Sequence, residues 1–115
     1  MDLYIRRGDT KFLKFQRKDS EGNPILESID KAYFTVKNYS LPEDFIFQKT
    51  LADMDIDEEG FYHFRIDPED TNKMLFSTYR YDLQIEIGAI KRTIAFGNFI
   101  VKEEVTFARN EAWDG

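Results

Sequence analysis

Apolar and polar residues alternate strictly through residues 79–87, which read Tyr-Arg-Tyr-Asp-Leu-Gln-Ile-Glu-Ile. Successive side chains of a β-strand point to opposite faces of its sheet, so this pattern predicts a strand with one buried face and one solvated face. We expect Tyr79, Tyr81, Leu83 and the two isoleucines that follow to face a hydrophobic core. The intervening charged and amide side chains should face water.

Shorter segments with the same kind of pattern occur along the rest of the chain and are separated by turn residues. They span residues 3–7, 10–18, 32–37, 45–51, 61–66 and 91–101. Many short strands at close spacing are typical of sandwiches and barrels. The sequence therefore predicts an all-β fold, an antiparallel β-sandwich of 7–8 strands.

The segment before the strand at residues 79–87 has the chemistry of a helix start. Asp67 can cap a helix, Pro68 suits the first helical position, and Asp70 stands where a capping box has its acid. We expect a helix of about two turns here. Further along, Gly88 and Ala89 predict a tight hairpin, and Gly97 predicts a bend or bulge in the last strand.

At 115 residues the chain has the length of one domain. We assign residues 1–106 to the sandwich domain and residues 107–115 to a C-terminal tail or docking arm. Phe107 and Trp113 lie in that arm, and Trp113 is the leading candidate there for a contact with a partner.

Charge and composition exclude several classes of partner. The net charge of −6 argues against nucleic acid and anionic membranes, since binding to either normally needs clustered Lys and Arg. There is no cysteine, which excludes disulfides and thiolate zinc sites. We see no signal peptide and no apolar stretch long enough to span a bilayer, so we expect a soluble protein that is not conventionally secreted.

Two features are candidates for a catalytic or metal site. Residues 53–60 are rich in acids and begin like a calcium loop, but Glu58 stands where glycine is needed and Phe64 where a bidentate Glu is needed. We expect a solvated acidic connector anchored by a buried Ile56. His63 is the sole histidine and should be a surface residue. We therefore predict no catalytic residues, no metal, no cofactor and no enzyme activity.

The aromatic residues offer the remaining candidate site, because they cannot all point inward if the alternation holds. The candidates for partner contact are Trp113, Phe107, Tyr39 and Phe61. Exposed rings on a sandwich can pack against another protein chain or stack on sugars. Both interpretations stay open at this point.

Several short motifs together resemble the immunoglobulin-like domains of baseplate upper proteins and related phage and prophage tail components. They are Arg-Gly-Asp-Thr at residues 7–10, Asp-x-x-Gly-Asn-Pro at 19–24, Pro-Glu-Asp-Thr at 68–71, Tyr-x-Tyr-Asp-Leu at 79–83, Thr-Ile-Ala-x-Gly-x-Phe at 93–99, and Val-Thr at 105–106. The acidic turn before Tyr79 is similar to the E–F corner of immunoglobulin-like sandwiches, where a tyrosine hydroxyl bonds to upstream backbone.

The resemblance implies an immunoglobulin-like sandwich with a short helix at the E–F corner and Tyr79 as its structural tyrosine corner. It implies a virion structural protein of the tail or baseplate that acts by protein–protein assembly. Partners would then be other virion proteins or further copies of the chain, and assembly would take place in the bacterial host cytoplasm. A carbohydrate-binding module for attachment to the host surface and a head-decoration protein are the alternatives.

Overall fold

The computed structural model describes residues 1–38 and 45–103 of the chain. Within these residues the helical segments are a 3-10 turn at Leu51–Asp53 and the short helix α1 at Pro68–Thr71, and neither has the length of a transmembrane helix. All other regular structure is β. The strands are β1 Leu3–Arg6, β2 Lys11–Gln16, β3 Lys31–Lys37, β4 Phe45–Thr50, β5 Asp55–Ile56, β6 Phe61–Ile66, β7 Thr78–Ile87 and β8 Ile90–Lys102.

The strands form two sheets that pack face to face, and the all-β sandwich predicted from the sequence is confirmed. The larger sheet has the order β1-β8-β7-β3-β4, and the smaller has the order β2-β6-β5. The paired strands are antiparallel except β1 and β8, which run parallel from Leu3 opposite Phe99 to Arg6 opposite Lys102.

Inward-facing residues of both sheets form one hydrophobic core. The alternation predicted for β7 is confirmed at Tyr79, Tyr81, Leu83 and Ile85, which are buried, while Ile87 at the end of the strand is half-buried. Phe34 and Val36 of β3 and Tyr62, Phe64 and Ile66 of β6 also face inward, and each is between 0% and 6% exposed. Phe34 joins the two sheets, because its ring centroid lies 5.5 Å from that of Tyr81 and 5.0 Å from that of Phe64 on the smaller sheet.

The predicted capping box at α1 is present, but the helix has one turn rather than two. The Asp67 N–H donates to Oδ2 of Asp70 at 2.7 Å, and Pro68 occupies the first turn. The helix ends early because the following backbone groups have other partners. The Met74 N–H donates to the Thr71 carbonyl oxygen at 2.9 Å, and Leu75 bonds to a side chain of β7.

Lys49 of β4 forms salt bridges that connect α1 to the larger sheet. Its ammonium lies 2.7 Å from Asp70 and 3.3 Å from Asp67. Burial of the ammonium acts to lower the pKa of Lys49, but the ionic hydrogen bonds to Asp70 and Asp67 outweigh it, so the pKa is raised above 10.5. The pair therefore stabilises the fold at pH values below 10.5, and this contribution is lost as the pH rises through the raised pKa.

The Tyr79 hydroxyl bonds twice to the backbone of Leu75. It accepts a hydrogen bond from the Leu75 N–H at 2.9 Å and donates to the Leu75 carbonyl oxygen at 3.2 Å. The ring is buried in the core while the hydroxyl satisfies both backbone groups of one residue. The connection from α1 to β7 is therefore held by a side chain where regular backbone pairing is missing.

We expect Tyr79→Phe to lower the free energy of unfolding by about 1–2 kcal/mol, because the ring stays while two backbone groups lose their partner. Urea unfolding followed by fluorescence measures the change. Tyr4→Phe is the matched control, since Tyr4 is 49% exposed and the change removes only a largely solvated hydroxyl. Equal stabilities for the two variants would show that the Leu75 bonds contribute nothing.

Gly97 does not mark the irregularity of β8, contrary to the prediction. The register shift lies opposite Leu83 and Gln84, which pair with Ala95 and Thr93 and leave Ile94 as the extra residue. Gly97 instead allows the close approach of the N-terminus, because a Cβ at this position would overlap the Met1 carbonyl oxygen. The same oxygen accepts a hydrogen bond from the Tyr81 hydroxyl at 2.7 Å.

Candidate interaction surface

An open groove lies between the two sheets, where the first half of β8 faces the end of β2. We call it the intersheet groove; it has a volume of about 570 Å³. Phe15, Leu83, Ile85 and Ile87 contribute an apolar floor, and Ile90 and Ile94 of β8 line it as well. A smaller cavity of about 100 Å³ shares Phe15, Leu83 and Ala95 with the groove and continues toward Met1. The sandwich is therefore incompletely closed along this side.

The groove is open because β8 is much longer than β1, its neighbour on one side, and than β2 across the groove. β8 has 13 residues, and β1 pairs only with its last part, from Phe99 to Lys102. Within the described ranges, residues 90–95 of β8 pair with β7 alone. We call these residues the open edge. β2 has six residues and is the edge strand of the smaller sheet. Ile90 is consequently 58% exposed and Ile94 37% exposed.

Basic side chains dominate the charge around the groove, although the whole chain carries −6. Arg17, Lys18 and Arg92 line it, and Glu27 is the one acidic residue among its lining residues. The Arg17 guanidinium donates to the Glu27 carbonyl oxygen through one terminal nitrogen. Its Nε is buried and has no hydrogen-bond partner within residues 1–38 and 45–103. The groove thus combines an apolar floor with a surplus of positive charge.

The aromatic residues predicted as partner contacts do not come together in the described structure. Tyr39, Phe107 and Trp113 lie outside the described residues. Phe61 is half-buried on the outer face of the smaller sheet, and the Lys14 ammonium covers its ring at 4.6 Å from the centroid. A cation over the ring occupies the face that a sugar or another ring would use.

Exposed rings other than the four predicted contact candidates lie on both outer faces. Phe12 is 78% exposed on the smaller sheet, and Phe96 is 69% exposed on the larger. Phe45, 58% exposed, shares the outer face of the larger sheet with Phe96. Their strands are three strand spacings apart, about 14 Å, and the Lys37–Asp82 ion pair at 2.9 Å lies on the strands between them. Phe12, Phe45 and Phe96 therefore do not form one contiguous stacking platform.

The acidic connector is an ordered turn built on Asp57. Its Oδ1 accepts hydrogen bonds from the Glu59 and Phe61 N–H groups at 2.9 Å each, and its Oδ2 lies 2.8 Å from Nε2 of His63. His63 is partly exposed, as predicted for a surface residue, but it has this specific partner. In the part of the chain that the structure describes, no three potential metal ligands cluster.

The prediction of a buried Ile56 in this connector is wrong. Ile56 is 53% exposed, and Met54, 8% exposed, anchors the connector in the core instead. The error has a geometric cause. β5 has only two residues, so the alternation is too short to determine which neighbour points inward.

The pKa of Asp57 is lowered below 3.8, chiefly by the hydrogen bond from His63 and also by the two backbone N–H groups, against an opposing effect of desolvation. A lowered carboxyl pKa stabilises the fold above pH 3.8, and this contribution is lost as the pH falls through the lowered value.

We expect the pKa of Asp57 to rise in His63→Ala, as measured by the ¹³C shift of its carboxyl. An unchanged pKa would show that the His63 contact does not persist in solution.

Comparison with known proteins agrees with the fold described above. No family model matches the chain, and no curated protein matches its sequence. Among solved structures, the chain is similar to the N-terminal domain of phage TP901-1 ORF48, with a TM-score of 0.54 and 11% sequence identity. The alignment covers 88% of this chain and 84% of that chain. At this identity the likeness shows the shared fold alone.

Proposed function

We propose that the chain is a structural protein of a phage or prophage particle, a component of the tail or baseplate that acts by binding other virion proteins. The observation that carries the proposal is the likeness of fold to a phage protein domain over 88% of the chain. The order of the short motifs that resemble those of phage tail components supports the same assignment, and it does not depend on the comparison of folds. The proposed role is assembly rather than catalysis.

The intersheet groove supports a binding role. An unpaired strand edge beside an apolar cleft is the arrangement that proteins use to add a strand from a partner. The open edge and the groove are features of this chain's own geometry and do not depend on the comparison. Weak contacts at such a surface are strengthened in a particle, because symmetry repeats them many times.

Deletion of the gene from the phage or prophage tests this role. We expect particles with missing or malformed tail ends in negative-stain electron micrographs, and restoration of normal particles by a plasmid copy. Empty or unstable heads with normal tails would instead support a head-decoration protein. Morphologically normal and fully infectious particles would contradict an essential structural role.

Host attachment through glycans is the rival explanation, and it makes a different prediction. A glycan module needs exposed rings arranged as a stacking platform, and Phe61 is covered by Lys14. Saturable binding of the purified chain to host cell-wall polysaccharide, lost in Phe45→Ala or Phe96→Ala, would favour that rival. We expect no such binding.

A further inference from the structure

We propose that the intersheet groove receives an extended, acidic segment of another virion protein, which adds to the open edge of β8 as a further strand. This inference deepens the proposed function and rests on it for the nature of the partner. The occupant would carry aliphatic residues at alternate positions, facing the groove, with Asp or Glu among its other residues. Its backbone would pair with residues 90–95 of β8.

Strand addition follows from the unpaired backbone of the open edge. Each residue of β8 carries an N–H and a C=O, and only one side of residues 90–95 is paired within the described ranges, with β7. An added strand would lie on the same side of β8 as β1, which pairs with β8 from Phe99 onward. About six residues of extended chain would cover the open edge, since a strand advances about 3.3 Å per residue.

The apolar floor explains why the segment would need aliphatic residues at alternate positions. Ile87 is half-buried and Ile90 is 58% exposed, although both line the groove beside the fully covered Leu83 and Ile85. Every second side chain of an added strand would point between the sheets and cover these isoleucines. Burial of apolar surface contributes roughly 25 cal/mol per Å², so this contact would supply much of the affinity.

The surplus of positive charge determines the sign of the partner. Lys18 and Arg92 are exposed at the groove, and Arg17 retains a buried Nε without a partner among the described residues. An acidic strand would carry its carboxylates on the face away from the groove, and the exposed Lys18 and Arg92 at the rim of the groove would attract them over the Debye length of about 10 Å. A basic strand would face repulsion at the same positions.

The basic residues of the open edge itself disfavour a second copy of the chain as the occupant. Two open edges paired with each other would bring Lys91 and Arg92 of one copy close to the same residues of the other. Like charges directly opposite each other destabilise a strand pair. Charged residues on an edge strand are also a known means of preventing self-association. The edge therefore discriminates between a different, acidic partner and another copy of itself.

The probe for this proposal is a synthetic peptide of about nine residues that alternates valine with glutamate, a length typical of single strands. Its counterpart replaces each glutamate with lysine. Methyl NMR spectra of the full chain follow the titration. We expect the glutamate peptide to shift the methyl signals of Ile87, Ile90 and Ile94, while the signals of Ile5 and Ile46 stay in place. The lysine peptide should leave all of these signals unchanged.

Charge reversal tests the role of the basic residues. Lys18→Glu combined with Arg92→Glu should weaken binding of the glutamate peptide by about tenfold or more. Lys31→Glu combined with Lys73→Glu is the matched control, because it changes the net charge equally at exposed positions that do not line the groove. Equal weakening by both double variants would overturn the local charge argument.

Backbone methylation of the peptide tests strand addition itself. Two peptides with the same side chains carry N-methyl groups on alternate residues, one along each edge of the extended peptide. We expect one methylated peptide to lose binding and the other to retain it, since only one edge can pair with β8. Equal binding by both would show that the groove binds side chains without adding a strand.

Two further results would overturn the proposal. They are no methyl shift at millimolar glutamate peptide and equal binding of the lysine peptide. Neither result bears on whether the chain is present in particles, so failure here is distinguishable from failure of the proposed function.

Discussion

Phe34→Ala should lower the free energy of unfolding by about 3–5 kcal/mol, which is the cost of removing a large aromatic side chain from a packed core. Phe34 is 2% exposed and lies at the meeting point of the two sheets. Its ring centroid is 5.0 Å from that of Phe64, 5.5 Å from that of Tyr81 and 6.4 Å from that of Phe47. A cavity at this position removes contacts from both sheets, and a small domain has only about 5–15 kcal/mol of stability in total.

Urea unfolding measured by circular dichroism provides the test, with Phe12→Ala as the matched control. Phe12 is 78% exposed, so the same chemical change there should alter stability by no more than about 0.5 kcal/mol. The difference between the two variants isolates burial from side-chain type. A cost for Phe34→Ala as small as that for Phe12→Ala would mean that the sheets do not pack around Phe34.

Gly97→Ala should destabilise the protein by about 1–3 kcal/mol and release the N-terminal strand, because the new Cβ would overlap the Met1 carbonyl oxygen. Backbone strain at Gly97 is not the cause, since its backbone does not adopt the left-handed conformation. The obstacle is a neighbouring backbone, which cannot rotate away as a side chain can. We expect faster amide hydrogen exchange in β1, together with loss of the bond from the Tyr81 hydroxyl to Met1.

A double-mutant cycle with the N-terminus separates this contact from other effects of the substitution. In a chain that begins at Leu3, the atoms that a Cβ at Gly97 would meet are gone, so the cost of Gly97→Ala should fall to within about 0.5 kcal/mol. An undiminished cost in the shortened chain would show that Gly97 is required for a different reason.

The features that the sequence predicts well are those determined by local chemistry. The alternation in β7 identifies its buried face, because the period of two needs no information from other strands. The cap formed by Asp67, Pro68 and Asp70 lies within four residues of chain, and it is present in the structure. The Gly88-Ala89 hairpin is equally local, with Gly88 at a φ of 60°.

The features that the sequence does not predict depend on contacts between distant segments. No turn signal marks the parallel pairing of β1 with β8, since the paired residues Leu3 and Phe99 are far apart in the chain. The approach of Met1 to Gly97 has the same origin, and a lone glycine in a strand pattern indicates a bulge just as readily. The one-turn length of α1 has a local cause instead, since Leu75 bonds to the Tyr79 side chain four residues on, which helix-start signals do not reveal.

The intersheet groove could not be predicted because it depends on how the strands are arranged in the sandwich. In the sequence, Ile90 and Ile94 are apolar residues of a predicted strand, so each is expected in the core. Their exposure follows from the register of β8 against β1 and from the short length of β2, which appear only in the assembled sandwich. Three of the four aromatic residues predicted as contacts, Tyr39, Phe107 and Trp113, lie outside the described residues and stay predictions.

The central claim is that the chain is a component of a phage particle, and quantitative mass spectrometry of density-purified particles tests it most directly. Particles are induced from the strain that carries the gene, and peptides from residues 1–103 are counted against those of the major capsid protein. We predict a fixed stoichiometry of several to tens of copies per particle, as repeated symmetric contacts require. Absence of the chain from intact, infectious particles would contradict the account.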